Sequence, residues 1–265
     1  MHKRTFFLCA ALLVTALVAG CGGGGSDDSV PPAPSGGAPS GPAFDMSKAT
    51  ATVSGKIAFE GTPPPNDKIQ MSSDPYCQMH AADYSTAETV KVSDGGLENV
   101  IVFISSGLSG SFPTPTTPVE INQENCHYIP HVFTMMTNQE LKIKNSDATL
   151  HNIHAFAEKN PQFNQGQAVQ GMVNTTKFSN EEVPLPIRCD VHKWMGAFVG
   201  VFHHPFHTVS KQGGAFELPK LPPGMYEITA WHEKYGKKTM MVTVADNDKK
   251  EVNFTFNAND KAAAD

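Results

Sequence analysis

The stretch Cys189-Asp190-Val191-His192-Lys193-Trp194-Met195 constrains this chain more than any other. It places a thiol, an imidazole and a thioether at C-x-x-H-x-x-M spacing, so one tight loop can aim all three at a point. Upstream, Asn145-Ser146-Asp147-Ala148-Thr149-Leu150-His151-Asn152 offers a second imidazole. Two His, one Cys and a weak axial Met are the donors of a blue-copper electron-transfer site. A fold that uses them must lay the His151 and Cys189 segments side by side. Each donor has a plainer reading. Cys189 could be a small buried hydrophobe and Met195 a core filler, while a lone His is by default a surface or satisfied one. An unpaired thiol in an oxidising space needs protection, however, and a bound copper would supply it.

The pattern around these residues is all-β. Helical periodicity is nowhere sustained, and short β-rich runs alternate with Gly, Pro, Asn and Asp, as in a sandwich. The segments Leu150-His151-Asn152-Ile153-His154-Ala155-Phe156 and Arg188 to Met195 resemble the copper-binding segments of cupredoxins, over roughly residues 125–204. The ligand loop is short, as in the amicyanin- and plastocyanin-like type 1 blue copper domains. The resemblance implies a Greek-key β-sandwich holding one type 1 copper ion, with His151, Cys189 and His192 as strong ligands and Met195 as the axial one. It implies that Asn152 ties the two ligand loops together and that His154 is not a ligand. Four donors and no open position imply a one-electron carrier, not an enzyme, with the His192 edge as the electron route. Trp194, inside the loop, would shield the metal or touch a partner.

Two flanking pieces belong together. Thr52 to Phe59 alternates as a strand, and Asn99-Val100-Ile101-Val102-Phe103-Ile104 is an apolar run fit for a buried one. Gly213 to Trp231, with its Leu221-Pro222-Pro223-Gly224 turn, resembles the carboxypeptidase regulatory-like domain, a transthyretin-like β-sandwich. Its opening strands have counterparts before the copper region, so the cupredoxin is expected to be inserted in that sandwich, or packed beside it. The division is residues 51–118 for its first part, 119–204 for the cupredoxin, 205–257 for its second part and 258–265 for a disordered tail. Residues 157–176 show little apolar periodicity and read as an irregular excursion.

The first 20 residues, basic His2-Lys3-Arg4 followed by a short apolar run, read as a secretory signal and not a membrane span. Val18-Ala19-Gly20-Cys21 resembles a bacterial lipoprotein box, which implies lipid on Cys21 and an address on the periplasmic face or at the outer membrane. Residues 21–50, rich in Gly, Pro and Ser, then read as a flexible tether. The formal charge is −6, and the chain has no basic run, so nucleic acid is not an expected partner. Of the five cysteines, Cys77 and Cys126 are left over; they pair as a disulfide, or join His80 and His127 in a second metal site. C-x-x-C-H is absent, which excludes attached haem. His203, His204 and His207 are a candidate second cluster, or simply a polar edge.

Three functions follow as expectations. The leading one is a membrane-tethered electron carrier between redox partners such as a c-type cytochrome or a dehydrogenase. The others are a copper storage or delivery protein and an envelope scaffold with incidental copper.

Overall fold

The computed structural model describes residues 41–80 and 84–261. The signal segment, Cys21 and most of the tether lie outside them. The described chain is nearly all β, with one five-residue helix, Pro75–Met79, and four sheets.

The flanking pieces close on one another across the chain. In the strand Thr52–Glu60, buried Val53, Ile57 and Phe59 occupy one side. Ser54 pairs with Glu217 antiparallel, and Ile57 with Phe254 parallel. The strand Ile101–Ser106 pairs with His207–Val209 on one edge and Gly224–His232 on the other. These two sheets enclose a core that includes Val53, Ile57, Val102, Ile104, Ile228 and Phe256. Residues 119–202 lie between the paired segments and build two sheets of their own. One orders Phe163–Gln167, His151–Ala155, Glu182–Arg188, Gly196–Phe202 and Val132–Met136; the other orders Val173–Thr176, Leu141–Asn145, Val119–Glu124 and His127–Ile129. A second core, with Ile121, Leu141, Ile153, Leu185 and Val199, fills this inner sandwich.

The unbroken apolar run at 100–104 has a physical cause. Val100, Val102 and Ile104 face the outer core, while Ile101 and Phe103 face a third cluster with Val132, Phe198 and Phe202. Both faces are covered over residues 100–104, so neither carries a polar side chain there, whereas Ser105 and Ser106 at the strand's end are exposed. Trp231 packs on Phe198 in the same cluster, ring centroids 5.4 Å apart. Gly55 marks a close approach, because a Cβ there would meet the Val252 carbonyl oxygen at 1.8 Å.

Four expectations need correction. Residues 157–176 contain two strands, Phe163–Gln167 and Val173–Thr176. Both are edge strands with mostly exposed side chains, held by backbone hydrogen bonds, so they carry no apolar signal. Within the nominal first part of the outer sandwich, Met71 and Cys77 are buried in the inner core, with Ile69, Tyr76 and Tyr84 packed against it. The tether is docked before its nominal end, since Phe44 stacks near Phe112 at 4.8 Å and Phe206 at 6.1 Å. The tail is not free from residue 258, since Asp260 pairs with Lys238 at 2.8 Å.

A half-buried ion pair ties inner to outer sandwich. His131 Nδ1 donates to the Gly196 carbonyl at 2.9 Å, and Nε2 donates to Glu233 Oε1 at 2.5 Å. Burial works to lower the His131 pKa, but both ring N–H groups have oxygen acceptors and the Glu233 charge outweighs burial, so the pKa lies above the ordinary value. Glu88 adds to the raise. A raised His pKa gives stability that is full below the unfolded value and is lost as pH rises through the folded one. Thermal unfolding of wild type and Glu233→Gln between about pH 6 and about pH 9 should show the wild-type advantage shrinking with pH. A gap independent of pH would show that His131 is not charged in the fold.

Candidate metal centre

Strand pairing brings the donors together. Arg188 pairs with Gly196 antiparallel, so residues 189–195 form the loop that closes this hairpin. Ile187 pairs with Ala155 and Arg188 with His154, which sets Cys189 beside the start of the His151 strand. Asn152 then joins the loops, as its Oδ1 accepts from the Asp190 N–H at 2.7 Å, the Val191 N–H at 3.3 Å and the Cys189 thiol at 3.3 Å. Inside the loop the His192 N–H donates to Cys189 Sγ, and the Met195 N–H donates to the His192 carbonyl.

His151, Cys189 and His192 converge. Their donor atoms all lie within 4.8 Å of one another. His151 Nδ1 is 2.9 Å from His192 Nδ1, which is 4.0 Å from Cys189 Sγ. The three are 0%, 2% and 1% exposed, and Met195, 1% exposed, belongs to the same buried cluster as Cys189.

The outer ring nitrogens decide whether a metal ion fits. His151 Nε2 is 2.7 Å from Asp147 Oδ2, and His192 Nε2 is 3.1 Å from Asp74 Oδ2. Each carboxylate takes an Nε2–H and leaves an Nδ1 lone pair directed inward, the arrangement that orients metal-ligating imidazoles. Two such lone pairs facing each other at 2.9 Å repel unless a proton or a cation lies between them. Burial works to raise the Cys189 pKa, but hydrogen bonds with His151 and His192, and with the Asn152 and His192 backbone, override it and bring it down to about 6. The thiolate and buried Asp147, with half-buried Asp74, make an anionic nest. A soft cation of the copper kind fits this donor set.

Asp147 and Asp74 were not legible as functional residues. Asp147 accepts the Asn125 and Cys126 N–H groups at 2.8 Å each; burial opposes its charge, but these bonds and His151 hold its pKa below the ordinary value. Asp74 caps the helix Pro75–Met79 with Oδ1, while Oδ2 takes Thr149 at 2.9 Å and His192. The one sequence signal was the Asp-Pro pair, an ordinary helix start.

The other candidates fall out as follows. Cys77 and Cys126 form a disulfide, Cα atoms 5.6 Å apart, so neither is a thiolate for the alternative site with His80 and His127. Cys77 Sγ lies 3.6 Å from His192 Nε2. With Asp74 and this disulfide over it, His192 has no exposed edge, which corrects the expected electron route. His154 bonds Asp190 at 3.0 Å and, among the described residues, joins no donor group. His203 contacts Thr137, and His204 Nδ1 accepts from the Phe206 N–H. Burial pushes His204 down to about 4 and His207 to about 3. Among the described residues no metal-binding group includes these three histidines.

No family model and no curated protein matches the chain. Among solved structures it is similar to a copper-containing nitrite reductase from Thermus scotoductus, with 15% identity and a TM-score of 0.31 over 38% of this chain. The chain spans 25% of that reductase. An oxidised P96G mutant of amicyanin matches at 14% identity and TM-score 0.29, covering 38% of this chain and 97% of amicyanin. A purple cupredoxin from Nitrosopumilus maritimus matches at 19% identity and TM-score 0.27, covering 31% of this chain and 97% of that one. These overlaps are partial.

Replacing Asn152 by Ala strips three donors of their acceptor. Denaturant unfolding of Asn152→Ala should show a loss of about 1–3 kcal/mol; an unchanged midpoint would mean the loops hold together without it.

Proposed function

We propose that this chain is a type 1 copper protein that carries single electrons, with His151, Cys189, His192 and Met195 as its ligands. One observation carries the reading: two buried Nδ1 atoms and a thiolate converge while carboxylates occupy both outer Nε2 atoms. Copper bound there would supply reversible one-electron chemistry. The protein's part is to hold the donors still. The loop is tied by Asn152, the imidazoles by Asp147 and Asp74, and the helix bearing Asp74 is tethered through the Cys77–Cys126 disulfide. A donor set this restrained changes little between oxidation states, which favours transfer over storage or delivery. Handing the metal to a chaperone would require lifting Asp74 and the disulfide from His192. The buried donors leave a substrate no exposed ligand edge, so we read the protein as a carrier and not an enzyme.

In this reading the chain is exported, anchored through lipid on Cys21 to the periplasmic face or the outer membrane, and exchanges electrons with a c-type cytochrome or a dehydrogenase. The disulfide suits such an oxidising compartment. The flanking sandwich, regulatory-like in sequence, serves as the frame into which the copper module is built.

One equivalent of Cu(II) added to the full chain should give an intense visible thiolate-to-copper band, bleached by ascorbate and restored by oxidation. Cys189→Ala should bind copper without that band. A pale wild-type spectrum would overturn the proposal.

A further inference from the structure

The strand that carries His151 loses its neighbour just where the ligand loop begins. Phe156 donates its N–H to the Pro186 carbonyl at 2.9 Å, and His154 pairs with Arg188. Hydrogen-bonded pairs recur at every second residue of an antiparallel ladder, so the next one would join Asn152 to Asp190. That pair does not form. The chain has left the strand Glu182–Arg188 for the loop, and the Asp190 N–H goes to the Asn152 side chain, Oδ1, at 2.7 Å. The main-chain carbonyl of Asn152, a residue 6% exposed, is thereby denied its ladder donor.

Tyr128 supplies one from the opposite sheet. It stands in the strand His127–Ile129, 2% exposed and in the same core cluster as Cys189. Its O–H donates to the Asn152 carbonyl at 2.5 Å. Asn152 is thus held at both ends, its main chain by Tyr128 and its side chain by the Cys189 thiol and the Asp190 and Val191 N–H groups. Two residues before Tyr128, the Cys126 N–H holds Asp147, the partner of His151, and the Cys126 carbonyl accepts the Trp194 indole N–H at 3.1 Å. Residues 126–128 therefore grip the His151 segment and the Cys189 loop together. A phenylalanine would fill the core where Tyr128 stands, so what the hydroxyl adds is this one bond.

We infer that Tyr128 is a positioning residue of the metal centre, replacing the strand bond lost at Asn152 and through Asn152 fixing the place of Cys189. For its effect on electron transfer the inference rests on the copper reading above; for its effect on the loop it rests on the geometry alone.

Amide hydrogen exchange on the metal-free full chain tests the loop. Tyr128→Phe should speed exchange at the Asp190 and Val191 amides by about fivefold or more and leave the amides of Gly224–His232 unchanged. In the Asn152→Ala background, where both amides have already lost their acceptor, Tyr128→Phe should add nothing to them. On the copper-loaded chain, Tyr128→Phe should keep the visible band but slow stopped-flow reduction by hexaammineruthenium(II) several-fold, because less restrained donors must reorganise more. A wild-type chain without the band would defeat the copper reading and leave the exchange result standing. Unchanged exchange at Asp190 and Val191, or an equal rise throughout both sandwiches, would overturn the inference.

Discussion

Two hydrogen bonds, Asp147 to His151 Nε2 and Asp74 to His192 Nε2, underlie the candidate site. An imidazole without such a partner can rotate or take the other tautomer, and its inner nitrogen would then carry the proton that the metal must displace. Both carboxylates are themselves restrained by backbone N–H groups, Asp147 by Asn125 and Cys126, and Asp74 by Tyr76 and Cys77. The disulfide links those two anchor points, since Cys77 and Cys126 are among the residues that donate to the two carboxylates. Removing one partner of a buried, charge-assisted bond leaves the other desolvated and unpaired, so the nest is held by mutual dependence.

The interleaved topology gives that nest its surroundings. Thr52–Glu60 pairs with Gly96–Leu97 ahead of the inner sandwich but takes its other strand partners, Ala215–Glu217, Lys249–Glu251 and Phe254–Asn257, from beyond it, so the outer sandwich cannot close until the inner one has been traversed by the chain. The two share the cluster around Ile101 and Phe198 and the His131–Glu233 pair. The segment bearing Asp74 leaves the outer sandwich, crosses onto the inner one, covers His192 and returns at Val90, whose side chain is again in the outer core. The loop of residues 189–195 thus sits beneath a piece of chain that comes from outside its own sandwich.

Some of this was readable from residues alone. Strand Ile101–Ser106 announced itself through the apolar run 100–104, covered on both faces, and Thr52–Glu60 because its buried residues alternate. The hairpin donors were readable because three of them lie within seven residues, and Asn152 because it adjoins His151. The strands Phe163–Gln167 and Val173–Thr176 were not. Their side chains mostly meet water, and the backbone bonds that order them have no residue signature. Buried Gln167 gives no hint in sequence of its bonds to Gln123 and Asn174 across the sandwich.

By itself, then, the sequence determined the donor types, their spacing and the strands that present them, because these depend on neighbouring residues and on local periodicity. Tertiary structure alone decided which nitrogen of His192 is left for a metal and that His192 is sealed from solvent. It also decided that Trp194 lines a cleft together with Glu233 of the outer sandwich. Those features arise from contacts such as Asp74 with His192 and His131 with Glu233, between residues more than a hundred positions apart. No local pattern encodes such a meeting, since it exists only once the packed sheets have brought both side chains to one place.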